Sequence, residues 1–197
     1  MESIKPKLFL RIFIIPLLVS LFLIGCSPKP KAPEDVLDTP EHHVLSGFKL
    51  LEKDYLLDAK REFKLALQLD PYYCDAYRGL GLIYGREKGF DQAFASMRSA
   101  IDYAKTGREK GLVYVGLMRL YTMQKDKGWL DEVKEQFSYA LRYKKELPEA
   151  YYYMGVAYKE ANRVPASERA FKRVLEINKG LVTESKRELE SLGNPGQ

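Results

Sequence analysis

The sequence predicts an all-α protein, a solenoid of about four helical hairpins closed by a C-terminal capping helix. From Pro40 onward the chain repeats with a period of about 34 residues, room for two helices and their turns. Within each period the apolar residues recur at the spacing of one helix face. All 14 tyrosines lie at or beyond Tyr55, so the aromatic capital of the chain belongs to this repeating part.

With 197 residues the chain has room for one domain with a real core. A hydrophobic share of 46% beside 30% charged residues is too apolar for a disordered protein. The net charge is +5, and removing the first 25 residues takes away Lys5, Lys7, Arg11 and Glu2, leaving +3. Those charges are interspersed with acids, not gathered into the basic stripe of a nucleic-acid binder, so no nucleic-acid partner is expected.

The elements follow in chain order. Lys5, Lys7 and Arg11 precede an uncharged run from Ile12 to Gly25, dominated by Ile, Leu, Phe and Val. A positive start followed by a short apolar run is the pattern of a secretory signal. The run is short for a permanent span, which needs about 20 apolar residues, and Pro16 interrupts it. It ends Leu23-Ile24-Gly25-Cys26. These four residues resemble the lipobox of bacterial lipoprotein signals. The resemblance implies cleavage after Gly25, a diacylglyceryl group on the Cys26 thiol and acylation of the new amino terminus, for instance by palmitate. Each buried methylene contributes about 0.8 kcal/mol, so two or more chains anchor stably where one does not. Ser27 differs from the Asp of the inner-membrane retention pattern, which implies the periplasmic face of the outer membrane. Residues 26–39 then form a tether: Pro28, Pro30 and Pro33, followed by Pro40, exclude helix and favour a polyproline-like spacer. At about 3 Å per residue it reaches up to roughly 40 Å.

The first repeat, 40–73, places His43, Ser46, Gly47 and Leu50 on one helix face and Ala59, Phe63 and Ala66 on the next, before Pro71. The second, 74–107, has Tyr77, Leu80, Gly81 and Tyr84, then Ala93, Met97 and Ala100. The fourth, 148–181, has Tyr151, Met154, Gly155 and Tyr158, then Ser167, Phe171 and Val174. These three align without gaps. The third, 111–147, aligns Tyr114, Leu117, Met118 and Tyr121, then Val133, Phe137 and Ala140, only with three residues added around Lys125 to Gly128. Its helices should splay or its turn should bulge, and Met118 stands where a small residue is expected. Residues 182–192 suit a cap, with Ser185, Leu189 and Leu192 continuing the face of Leu181. A disordered tail, 193–197, is expected after it.

These residues resemble the tetratricopeptide repeat (TPR), although Lys105 and Lys179 replace its late proline. The resemblance implies a right-handed superhelix whose first helices line a concave groove for a protein partner. Carried over, the groove positions are Val44, Phe48 and Leu51, then Arg78, Leu82 and Arg86, then Val115, Arg119 and Met123, and last Tyr152, Val156 and Lys159. Such a groove is apolar with three arginines and a lysine, suited to a segment with apolar anchors and acidic residues. Val44 and Phe48 stand where the clamp of the chaperone-tail binders has Lys and Asn, so that ligand is not implied. A second aromatic surface, around Tyr72-Tyr73 and Tyr151-Tyr152-Tyr153, is the alternative.

No catalytic constellation is visible. The two histidines, His42 and His43, are neighbours pointing to different sides of the first helix, and His43 takes a packing position. Gly79-Leu80-Gly81 sits within a helix and is no phosphate loop, and no Cys/His spacing suits zinc. Cys74 reads as a small packing residue. The expectation is therefore a non-enzymatic, membrane-anchored interaction scaffold in the bacterial cell envelope, with no cofactor or metal and with an unidentified protein partner. The alternatives are a glycan or small-ligand binding module, or an accessory subunit of an envelope assembly or secretion machine such as a pilotin.

Overall fold

A computed structural model of the protein describes residues 38–193. The signal segment, Cys26, most of the tether and residues 194–197 lie outside the described residues. Among the described residues there are nine helices: α1 (Pro40–Glu52), α2 (Leu56–Leu69), α3 (Cys74–Arg86), α4 (Phe90–Tyr103), α5 (Gly107–Gln124), α6 (Trp129–Tyr143), α7 (Pro148–Glu160), α8 (Val164–Ile177) and α9 (Val182–Gly193). They pair as four hairpins, α1/α2 through α7/α8, each an A helix followed by a B helix, and α9 packs on α8.

Glycines and large B-helix side chains set how closely the helices stack. Phe63 of α2 is fully buried. A Cβ on Gly47 of α1 would lie 2.7 Å from its ring, and one on Gly79 of α3 only 2.3 Å from it. The phenylalanine is thus wedged between two bare backbones, one in its own hairpin and one in the next. Met97 of α4 repeats the device between Gly81 and Gly116, and Phe171 of α8 presses on Gly155. In the last hairpin the Ser167 hydroxyl donates to the Gly155 carbonyl at 2.8 Å, which satisfies a buried hydroxyl where the first two repeats have alanine.

The third hairpin starts earlier than its sequence reading and carries its extra residues in the turn, one of the two outcomes that reading allowed. Its first helix starts at Gly107 rather than near Gly111, because Thr106 caps it. The Thr106 side chain accepts from the Glu109 amide at 3.1 Å, and Glu109 accepts from the Thr106 amide at 2.7 Å. This reciprocal box supports an extra turn of helix. The added residues are taken up in the turn, where Lys125 and Gly128 both have positive φ, 54° and 83°. The two helices do not part: Met118, Val133 and Ala140 are all fully buried.

The curvature follows from which helices touch. Successive A helices pack on one another, α1 on α3, α3 on α5 and α5 on α7, whereas each B helix packs on A helices and not substantially on another B helix. The A helices therefore form the crowded inner layer and the B helices the spread outer one. The array closes at α9, which buries Ser185 and leaves Lys186, Arg187 and Glu190 exposed, a polar end suited to water.

Candidate interaction surface on the inner face

The inner face is built from the A helices and the turns that follow them. Each A–B turn is closed by a residue in the left-handed region: Asp54, Lys88, Lys125 and Asn162, with φ of 63°, 63°, 54° and 58°. The turns stack along one rim. Beneath them runs an open cleft of about 600 Å³ lined by Asp54 and Leu56, by Gly85, Arg86, Lys88 and Phe90, by Thr122, Met123 and Lys125, and by Val156 and Glu160. All four hairpins contribute to it.

The twelve groove positions expected from sequence separate into three groups. Val44, Leu51, Leu82 and Val115 are 5%, 2%, 0% and 4% exposed and belong to the core. They are corrected here to packing residues: neighbouring A helices approach so closely that these positions face a helix, not solvent. Tyr152 and Lys159 are engaged at the C-terminal end. Tyr152 packs on Phe171 and Tyr153, and burial, then Glu188, pushes its phenol up to about 12. The Lys159 ammonium donates to Glu188 at 2.7 Å and Ser191 at 3.2 Å, so α9 occupies it. The others, Phe48, Arg78, Arg86, Arg119, Met123 and Val156, keep half-buried side chains.

Three arginines meet within this last group, and they are not equivalent. Arg78 lies over the Phe48 ring at 4.4 Å and donates to Asp75 at 2.9 Å. Arg86 donates to the Leu51 carbonyl at 3.0 Å and to the Asp54 carboxylate. Arg119 stacks over Tyr153 at 4.6 Å and has no carboxylate partner among the described residues. Desolvation holds its pKa below the ordinary arginine value, and the positive charges of Arg78 and Arg86 add to that; Tyr153 and, more weakly, the Glu52 carboxylate oppose it. It stays charged, since arginine starts so high. The result is a cation on a half-buried surface with no carboxylate in ion-pair contact among the described residues, Glu52 acting on it only from farther off.

The turn residues of the cleft, Leu56, Lys88, Phe90 and Lys125, were not found from sequence. Their signal is a polar residue recurring at the same register just after each A helix, Asp54, Lys88, Lys125 and Asn162. Of the tyrosines of the alternative surface, Tyr72 stays 60% exposed, and Tyr73, Tyr151, Tyr152 and Tyr153 are half-buried. Tyr72 meets Tyr103 edge-on, Tyr151 meets Phe137, and burial pushes the Tyr73 phenol up to about 12. His43 is more than a packing residue: its ring nitrogens lie 2.8 Å from Glu62 and 3.1 Å from Asp38, and these acids raise its pKa against the lowering effect of burial. Cys74 is buried, and burial pushes its thiol up to about 12. Among the described residues no three His, Cys, Asp or Glu gather to hold a metal, and no helix is long and apolar enough to cross a membrane.

No protein-family model and no curated protein matches the chain. Solved structures do. A thermophilic TPR protein of Thermus thermophilus superimposes with a TM-score of 0.63 at 17% identity, over 78% of this chain and 80% of that one. The fold is the TPR solenoid. A chain of the APC/C hetero-tetramer Cut9–Hcn1 matches with a TM-score of 0.56 at 18% identity, over 83% of this chain. This TPR array spans only 29% of that longer chain. At these identities the shared property is the arrangement of hairpins, with α9 as the cap of the array.

Proposed function

We propose that the protein is a lipid-anchored scaffold of the bacterial cell envelope that holds a segment of a partner protein against its inner face, with a carboxylate of that segment on Arg119. The observation that carries this reading is the half-buried Arg119 guanidinium, which has no carboxylate in ion-pair contact among the described residues. Leaving a partly desolvated cation without an acid is costly, so an arrangement that keeps it half-buried and flanked by two arginines favours an anion. Phe48, Met123 and Val156, half-buried on the A helices, supply apolar contact for such a segment, and the flexible thioether of Met123 adapts to what it meets. Association of the Cut9–Hcn1 chains in a hetero-tetramer supports an interaction role for a solenoid of this kind.

The anchor belongs to the same reading. An acylated Cys26 and a proline-rich tether would present the array at a membrane surface, on the periplasmic face of the outer membrane according to Ser27. The array would then serve as a fixed docking post for a larger envelope assembly, not as a catalyst.

The test is photo-crosslinking in the native host from a probe replacing Met123, which borders Arg119's surface, with and without Arg119→Gln. The expected result is one dominant crosslinked protein whose yield falls about tenfold or more in the Arg119→Gln background, the loss typical of a charge left without its partner. Equal yield in both backgrounds would remove Arg119 from the interface. Capture only from a probe on the exposed B-helix side, such as Lys64, would move the interface to the outer face.

A further inference from the structure

We infer that the cleft beneath the A–B turns seats an apolar side chain of the partner segment, and that a carboxylate next to that side chain lies on Lys88. This rests on the inner-face reading above and adds to it a second recognition element with its own chemistry. Part of the cleft wall is apolar: Leu56, Phe90, Met123 and Val156 are each half-buried and line it. Gly85 also lines the cleft, and its lack of a side chain is set by packing, since a Cβ there would come within 2.4 Å of the buried Leu120. A cleft of about 600 Å³ with this lining takes a Leu, Met or Phe side chain with room to spare.

Its rim has an unbalanced charge. Arg86 is paired with Asp54, and Lys125 with Glu160 at 2.6 Å. Both acids that line the cleft are thereby taken. Lys88, exposed and held by its left-handed turn, has no acid partner among the described residues. The A helices also end at this rim, and cations complement their negative C-terminal ends. That local role is met by Arg86, in the last turn of α3, and leaves Lys88 for an acid that the occupant brings. The charge complement selects an acidic segment over a neutral or basic one, and the apolar wall selects one whose acid adjoins a large apolar residue.

The probe is an array of immobilised short peptides in which one apolar position (Leu, Met or Phe) and an adjacent acidic position (Asp or Glu) are systematically replaced by Asn, Gln or Lys. The full-length chain is applied in detergent. Peptides with the apolar–acidic pair are expected to retain it about tenfold better than those lacking either member, the scale of one buried apolar side chain or one ion pair. Lys88→Glu should erase the acidic preference and Phe90→Gln, at a cleft residue that the Arg119 reading does not use, the apolar one. Circular dichroism of each variant checks the fold, and the exposed Lys88 supplies a change that the core does not feel. If both preferences survive those two substitutions while Arg119→Gln still weakens retention, the cleft assignment is overturned and the inner-face reading stands. If retention ignores all three substitutions, or no acidic peptide is retained, both are overturned.

Discussion

Gly79→Ala tests how the array is held together. Gly79 is buried in the middle of α3, where alanine normally stabilises a helix by about 1 kcal/mol. Here the added Cβ would lie 2.3, 2.4 and 2.5 Å from three ring carbons of Phe63. Carbon contacts settle near 3.5 Å, so the ring would have to retreat by about 1 Å. It cannot retreat toward α1, because Gly47 already stands so close that its own Cβ would lie 2.7 Å from the ring. Overpacking of this kind costs about 1–3 kcal/mol and outweighs the propensity gain. With three ring carbons at 2.5 Å or less the upper end of that range applies, so the net expectation is a loss of about 2 kcal/mol, or a fall in Tm of about 4–8 °C for a domain of this size. The assay is thermal and urea unfolding followed by circular dichroism. Phe63→Leu should rescue part of the loss when combined with Gly79→Ala, because the two act on one contact and need not add. A Gly79→Ala protein as stable as the parent, or more so, would refute the wedge as the element that joins the first and second hairpins.

Three further outcomes can be checked directly. His43 has a folded pKa above its unfolded value of about 6.5, so its pairing with Glu62 and Asp38 stabilises the first hairpin fully below that pH and fades as pH rises through the folded pKa. Denaturation midpoints should therefore drop between mildly acidic and mildly alkaline buffer, and His43→Gln should flatten the change; a steep drop that persists in the variant assigns it to another group. Cys74 should resist a thiol reagent in the native protein and react only on unfolding, because burial keeps it protonated; fast native labelling would contradict that. Cys26→Ser should abolish metabolic labelling with a fatty-acid analogue and release the protein from the membrane fraction, whereas retained label would place the acyl group elsewhere.

Local rules carried most of the architecture. The repeat register, the small residues at Gly47, Gly81 and Gly155 and the large ones at Phe63, Met97 and Phe171 can be read along the chain, because they pack within one hairpin or onto the next. The capping box at Thr106 and Glu109 has the Thr-x-x-Glu spacing, but the repeat alignment passed over it and put the helix start later. The inner face was not legible in the same way. Val44, Leu82 and Val115 share the register of true surface positions, yet the spacing between neighbouring A helices buries them. Lys159 reads as a free groove cation until α9 folds back to bring Glu188 to it. Arg78, Arg86 and Arg119 look alike in sequence, and only stacking decides that Asp75 and Asp54 neutralise two of them while the third is left over Tyr153. Hairpins form from contacts close in sequence, whereas exposure and charge compensation depend on how whole hairpins come together. The sequence by itself therefore determined the repeating scaffold, and the tertiary structure decided which of its side chains remain open to a partner.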